Sequence, residues 1–382
     1  MVITRAAFVL DLFGSIRHSV AMDEIDQQRP RKGRGALSNA AGRFETYDRV
    51  AIDDGWGSAD AEPMQLRTVL TEDKSRTIIA RNDSPDIPFD RSINPYRGCE
   101  HGCVYCFARP SHAFLGLSPG LDFESHLFFK PRAAELLAAE LRAPRYKCQP
   151  MALGTNTDPY QPIEREHRIM RAILEVLRDF SHPVSIVTKG ALVMRDIDIL
   201  APMAARNLAM VGVSVTTLDR HLARRLEPRA ATPTRRLEAI AALSAAGIPV
   251  SVMVAPIIPG LTDHEIEAIL EAARAAGAVS AGRVMLRLPR ELAGMFAEWL
   301  EAHAPGRARH VLSLQRDVRG GALNQSGWGE RFRGAGPYAE AINRRFDLAT
   351  RRLGFEGVWR PTGLDVSQFR PPPRAGDQLS LL

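Results

Sequence analysis

The feature that most constrains this chain is an alternation of short apolar runs with amphipathic segments, sustained from about residue 91 to residue 303. Strand-like runs rich in Val, Ile, Met and Leu fall at 150–156, 183–188, 208–215, 249–257 and 283–288. Helix-like segments separate them at 131–142, 165–180, 193–205, 233–246 and 262–276, and a further helix candidate at 289–303 follows the last strand. Strands this continuously apolar are buried on both faces, the condition of a parallel sheet, and parallel strands require the helical crossovers seen between them. With one strand expected just before Cys99, the count is about six β/α units. A sheet of this kind places its chemistry in the loops that follow the carboxyl ends of its strands.

The flanking regions read differently. Residues 1–60 form a polar, partly disordered N-terminal extension, 61–90 a lead-in, 91–303 the β/α region, 304–366 a mainly helical C-terminal region, and 367–382 a Pro-rich, extended and exposed tail. Arg29-Pro-Arg-Lys-Gly-Arg-Gly reads as a solvated basic linker. No apolar run approaches the roughly 20 residues of a membrane span. The start is faintly signal-like, but Asp11 interrupts it and no small-residue cleavage site follows, so a cytoplasmic location is expected. Met22 is an alternative start to Met1. The net charge of +6 suggests an anionic partner, yet Lys supplies only 5 of the 50 basic residues and Arg is spread along the chain. Composition alone does not establish nucleic-acid binding.

Three of the four cysteines fall within eight residues, in Asn94-Pro-Tyr-Arg-Gly-Cys-Glu-His-Gly-Cys-Val-Tyr-Cys-Phe. A cluster this tight, on a short loop after the first strand, points to metal or redox chemistry and not to a disulfide framework. Thiolates from Cys99, Cys103 and Cys106 can each take one iron of a cubane cluster, leaving the fourth iron open. Gly98 and Gly102 let the loop wrap a bulky group. The rival is a structural zinc site, which needs a fourth ligand from His101 or Cys148. Cys148 precedes the second strand, about seven residues or roughly 23 Å (at about 3.3 Å per residue) before the Thr155 end, which puts it at the opposite rim as an inert core cysteine.

The other strand ends are also polar. Gly154-Thr-Asn-Thr-Asp-Pro follows the second strand, with Asp158 either a turn residue or a ligand contact. Lys189 ends the third strand and suits an anionic carboxylate. Ser214 and Thr216 end the fourth, and Pro256-Ile-Ile-Pro-Gly-Leu-Thr-Asp ends the fifth.

The cysteine spacing, with an aromatic residue before the last Cys, resembles the radical S-adenosylmethionine (SAM) superfamily. That resemblance implies an α/β fold, a partial (β/α)6 TIM-like barrel. It implies a [4Fe–4S] cluster on Cys99, Cys103 and Cys106, with SAM chelating the open iron through its amino and carboxylate groups. It further implies an external electron donor and reductive cleavage to methionine and a 5′-deoxyadenosyl radical, which abstracts a substrate hydrogen. By the same resemblance Tyr105 sits beside the adenine. Gly154, Asn156, Thr157 and Asp158 face SAM, with the backbone of Gly154 to Thr157 toward the ammonium. Lys189 meets the carboxylate, Ser214 and Thr216 the ribose, and the Pro256 turn the adenine.

Over roughly residues 90–300 the chain looks most like the branch containing spore photoproduct lyase, with Arg34-Gly-Ala-Leu-Ser-Asn a mark of those relatives. One departure is that Thr155 stands where the lyase carries its hydrogen-donating cysteine, which argues against repair of the spore thymine dimer by that route. Action on nucleic acid or in DNA maintenance is the implied role. The alternatives are radical modification of a small molecule or protein, or a non-catalytic metal-stabilised module associated with DNA. The tail Gln378-Leu379-Ser380-Leu381-Leu382 resembles the short motif by which bacterial repair proteins attach to the sliding clamp.

Overall fold

The computed structural model describes residues 3–4, 31–45, 47–48, 66–357 and 361–373. The Met1 and Met22 starts and the clamp-like tail Gln378–Leu382 lie outside the described residues.

Six parallel strands carry the fold: β1 (Arg91–Ile93), β2 (Met151–Leu153), β3 (Val184–Thr188), β4 (Ala209–Ser214), β5 (Val250–Ile257) and β6 (Ser280–Met285). They lie side by side in chain order, in registers such as Ile93 with Leu153 and Leu153 with Ile186. An antiparallel strand, Ile79–Arg81, adds to the outside of β1. The two edges of the sheet do not pair with each other, so the barrel is partial and open beside β1 and β6. The crossovers and last cover are α1 (Ala133–Leu141), α2 (Ile169–Asp179), α3 (Ile197–Ala204), α4 (Pro233–Ala245), α5 (Ile266–Ala275) and α6 (Leu292–His303). This is the partial (β/α)6 architecture expected.

Local sequence explains the elements. In α2 the buried residues are Ile169, Met170, Ile173, Leu174 and Leu177, an i, i+4, i+8 stripe that packs on the sheet and leaves Arg and Glu to solvent. In α4, Thr232 caps the first turn through Arg235 N–H at 3.4 Å, and Pro233 occupies a position that needs no amide hydrogen. The inner strands bury both faces: Met151, Leu153, Val184, Ile186 and Val211 are fully inaccessible on one, and Ala152 and Ser185 are buried on the other.

Three expectations need correction. The sixth strand begins three residues before the expected 283 and ends at Met285. Its small residues concealed it: at Gly282 the Met253 side chain of β5 fills the space that a Cβ would take, with Sδ 2.7 Å from that position. Leu286 and Leu288 instead enter a second core with Phe296 and Trp299. The basic segment is not solvated at its end, because Arg34 and Gly35 are buried, as are Ala36 and Leu37 after them. The tail is anchored at its start: Phe369 packs on Tyr146, Phe180 and His182, and Arg370 N–H donates to the Phe180 carbonyl at 2.9 Å.

Beyond α6, helices Pro305–Asp317 and Gly336–Arg352 form the helical C-terminal region. Among the described residues no helix is long and apolar enough to cross a membrane.

Candidate active site at the carboxyl edge of the sheet

The cysteine loop leaves β1 and crosses the carboxyl edge, bringing Cys99, Cys103 and Cys106 together: the Cys99 thiol feels the charges of both others and of Asp158. Left-handed turns at Gly98 (φ 75°) and Gly102 (φ 66°) shape the loop. A Cβ on Gly102 would stand 2.7 Å from Glu124 Oε2. Burial pushes all three thiols up, so they keep their protons unless a metal replaces them.

The loop is held from behind by a buried ion pair. Arg109 and Glu124 have fully inaccessible side chains and are in direct contact. Arg109 donates to the carbonyls of Cys103 at 2.9 Å and Gly102 at 3.1 Å. Glu124 accepts from Gly35 N–H at 2.9 Å and Ala36 N–H at 2.8 Å, while Arg34 Nη1 donates to the Glu124 carbonyl at 2.6 Å. Gly35 presses so closely on the loop that a Cβ there would fall 1.8 Å from the Gly102 carbonyl oxygen. The Arg34–Asn39 stretch therefore serves as a brace for the cysteine loop.

On the other side the loop is tied to β2 and β3 through Asp158. Its carboxylate accepts from Thr188 Oγ1 at 2.6 Å, Lys189 N–H at 2.7 Å and Tyr160 N–H at 2.9 Å, and stands 3.3 Å from His101 Nδ1. Burial alone would raise this carboxyl, but the His101 ring and these hydrogen bonds hold it well below the usual carboxylate range. Asp158 is thus a brace, not an open contact. Asn156 and Thr157 are similarly engaged: their amides face Asn94 Oδ1 at 3.0 and 3.4 Å, and Thr157 Oγ1 donates to the Tyr96 carbonyl at 2.8 Å. Gly154 (φ 83°) is required by close approach, since a Cβ would lie 1.9 Å from the Val187 carbonyl oxygen.

Lys189 keeps its ammonium over the Tyr105 ring, 5.7 Å from the centroid, where its charge acts on Cys103 and Cys106. Tyr105 OH contacts Glu227 and lies 3.1 Å from Thr216 Oγ1, which donates to Glu227 Oε1 at 2.7 Å. Glu227 in turn is paired with buried Arg236, which donates to the Ser214 carbonyl at 3.0 Å. The Thr216 hydroxyl is therefore spent inside the protein, and it positions Tyr105. The sequence reading did not single out Asn94, Arg109, Glu124, Glu227 or Arg236, and it weighed His101 only as a zinc ligand.

Cys148 lies apart, half-buried before β2, and its thiol feels Arg91 and Asp365 instead of the cysteine loop. Its partial exposure corrects the core assignment. Among the described residues no three His, Cys, Asp or Glu side chains are close enough to hold a single metal ion between them. The donor set is three soft thiols without a fourth protein ligand, which fits a cubane with one open iron.

Comparison with known proteins agrees. The radical SAM superfamily model matches residues 93–273. An uncharacterized protein of Mycobacterium tuberculosis is 41% identical over 291 residues, covering 76% of this chain and 82% of its own length. An uncharacterized protein of Methanocaldococcus jannaschii is 28% identical over 174 residues, covering 45% and 62% respectively. Among solved structures, a spore photoproduct lyase mutant with bound AdoMet and dinucleoside spore photoproduct shares the fold. Its TM-score is 0.53 at 15% identity, over 76% of this chain and 81% of that one. Thiol spacing, strand order and sequence relationship converge on one assignment: this chain is an enzyme of the radical SAM superfamily.

Proposed function

We propose that this enzyme carries out SAM-dependent radical chemistry on nucleic acid, with its [4Fe–4S] cluster held by Cys99, Cys103 and Cys106. When bound, the cluster and SAM supply the hydrogen-abstracting radical. The protein's own residues bind, orient and exclude water. The Lys189 ammonium lies over the Tyr105 ring and, among the described residues, makes no ion pair, so it suits the SAM carboxylate. Tyr105 is locked by Glu227 and Thr216 and offers a fixed ring beside the cluster loop. Ile258, Leu261, Leu286 and Leu288 belong to one buried apolar cluster with Cys103 and Tyr105 and exclude water from that side of the loop.

The observation that carries the choice of nucleic acid is an open cavity of about 650 Å³ between the stretch that braces the cysteine loop and the segment that ends at Arg229. Arg31, Lys32, Arg224, Arg225 and Arg229 line it. Arg229 N–H donates to the His101 carbonyl at 3.2 Å, so the cavity adjoins the loop itself. Among the described residues, Glu100 pairs with Arg229 at 2.9 Å and Asp219 lies near Arg225, so the lining keeps a surplus of cations. Such a surplus suits phosphates. The likeness of fold to a lyase crystallised with a dinucleoside photoproduct supports the same reading. Delivery by a sliding clamp through Gln378, Leu379, Ser380, Leu381 and Leu382 rests on the tail sequence alone.

The test is anaerobic reconstitution followed by SAM cleavage with and without single- and double-stranded DNA and RNA. The proposal expects one of these to bind in a salt-dependent manner and to change the cleavage rate. Absence of both effects with all four would contradict it.

A further inference from the structure

The open side of the barrel carries a second group of cations that the reading above does not use. Arg287 lies two residues beyond β6, facing the gap left beside β1. Its guanidinium is held between two rings, with Cζ 5.7 Å from the Phe107 centroid and 5.3 Å from the Phe332 centroid. Its Nε is buried without a hydrogen-bond partner, and among the described residues the side chain makes no ion pair. Among the described residues, the one carboxylate whose charge reaches it, Asp86, is already taken by Arg331, through Nε at 2.7 Å, and by Gly329 N–H at 3.1 Å. A third guanidinium, Arg319, is buried behind and donates only to backbone carbonyls, including those of Leu286 and Glu330. Among the described residues, Arg287 and Arg331 thus share one anion, and Arg319 adds a further cation behind them. Burial lowers the Arg287 pKa, and repulsion from Arg331 adds to it. Packing alone does not account for this arrangement, because an unpartnered buried donor on a charged group is costly. An incoming anion would complete it.

The surrounding groups define that anion. Phe107 directly follows Cys106 and is still 48% exposed, and Trp328, on the Gly-rich segment that carries Phe332, is 65% exposed. Buried Asn324 Oδ1, near the start of that segment, also lacks a partner. Exposed rings beside an unpaired guanidinium are the means by which proteins take unstacked nucleotides: bases stack on the rings, and phosphate meets the cation.

We propose that Arg287, clamped between Phe107 and Phe332 at the open edge of the barrel, receives a backbone phosphate of the substrate strand while the exposed ring of Phe107 stacks a base beside the cluster loop. This inference rests on the nucleic-acid reading above and names the site through which that substrate enters. Phe107 directly follows Cys106, so a base stacked on it would lie beside the loop that would hold the cluster and SAM. The single-stranded or extruded form of the nucleic acid is the form this site accepts.

The experiment uses the anaerobically reconstituted holoenzyme and a fluorescently labelled single-stranded oligothymidylate, with affinity measured by anisotropy over a salt series. Arg287→Ala is expected to weaken binding at least tenfold and to reduce the slope of log K against log salt by about 0.7, the loss of one phosphate contact. Phe107→Ala is expected to weaken binding by a similar factor with an unchanged salt slope, because it removes stacking only. Arg287→Lys keeps the charge without the planar clamp, so it should restore the slope and only part of the affinity. Arg309→Ala, an exposed cation on helix Pro305–Asp317, controls for bulk charge. Each variant's cluster absorbance and unfolding midpoint report whether it folds. Equal effects of Arg287→Ala and Arg309→Ala, or wild-type affinity in a folded Arg287→Ala protein, would overturn this inference and leave the nucleic-acid reading standing. If the wild-type protein binds none of the nucleic acids, that reading fails and the inference with it.

Discussion

The ion pair behind the cysteine loop makes a demanding prediction. In Glu124→Gln the shape of the side chain is kept, but the charge opposite Arg109 is lost. Both partners are fully inaccessible, so no water can replace the missing carboxylate. Removing one member of a buried pair costs about 3–5 kcal/mol, because the other charge stays buried and unpaired. The hydrogen bonds point the same way. Glu124 accepts from Gly35 N–H, Ala36 N–H and Arg109, so an amide in its place must turn its NH2 toward at least one donor. That loss, about 1–3 kcal/mol, overlaps the charge penalty and is not added to it. Against a total stability of about 5–15 kcal/mol, the change removes a large fraction. Since Arg109 fixes the Gly102 and Cys103 carbonyls, the loop should loosen and take up less iron. The assay is urea unfolding of the apoprotein, paired with iron content after reconstitution. Glu135→Gln is the control, because its pair with Arg132 is exposed on both sides and should matter little. A Glu124→Gln protein within about 1 kcal/mol of wild type and fully loaded with iron would refute the bracing role.

Other consequences follow from the same geometry. Gly35→Ala sets a Cβ against the Gly102 carbonyl oxygen, backbone on backbone, and should cost about 1–3 kcal/mol in urea unfolding, with reduced cluster loading. Lys189→Ala should weaken SAM binding by about 1.5–3 kcal/mol in calorimetric titration, and unchanged affinity with an intact cluster would free Lys189 from that role. Burial lowers the pKa of His112 and His182 from 6.5 to about 4, so both are neutral in the fold. Their stabilising effect is complete above the unfolded value and is lost as pH falls through the folded one. Stability should therefore decline between about pH 6.5 and 4, by on the order of 3 kcal/mol per group, and a flat profile there would count against the burial argument.

The architecture was legible because strands buried on both faces must be apolar throughout, and the crossovers must carry a helical stripe. The boundaries failed where that signal is weak, as at Ser280-Ala-Gly, where small residues form a strand by packing on Met253. The cysteine loop and the strand-end residues were also legible, since position after a parallel strand is a topological fact. The jobs of those residues were not. Asp158 and Thr216 turned out to bond inward, to His101 and Glu227, and such pairings join residues 57 and 11 positions apart with no local pattern to announce them. The Arg34–Asn39 brace was hidden for a related reason, because a Gly-rich basic stretch looks solvated unless its distant acceptor, Glu124, is known.

The central claim is that three thiols hold a cluster with one iron free for SAM. It is tested most directly by electron paramagnetic resonance of the reduced, reconstituted protein before and after SAM is added, in wild type and in the four single Cys→Ala variants. The account predicts about four irons per chain and a cluster signal that shifts on adding SAM. It predicts loss of that signal in Cys99→Ala, Cys103→Ala and Cys106→Ala, and its retention in Cys148→Ala. A signal indifferent to SAM, or one that disappears with Cys148, would contradict it.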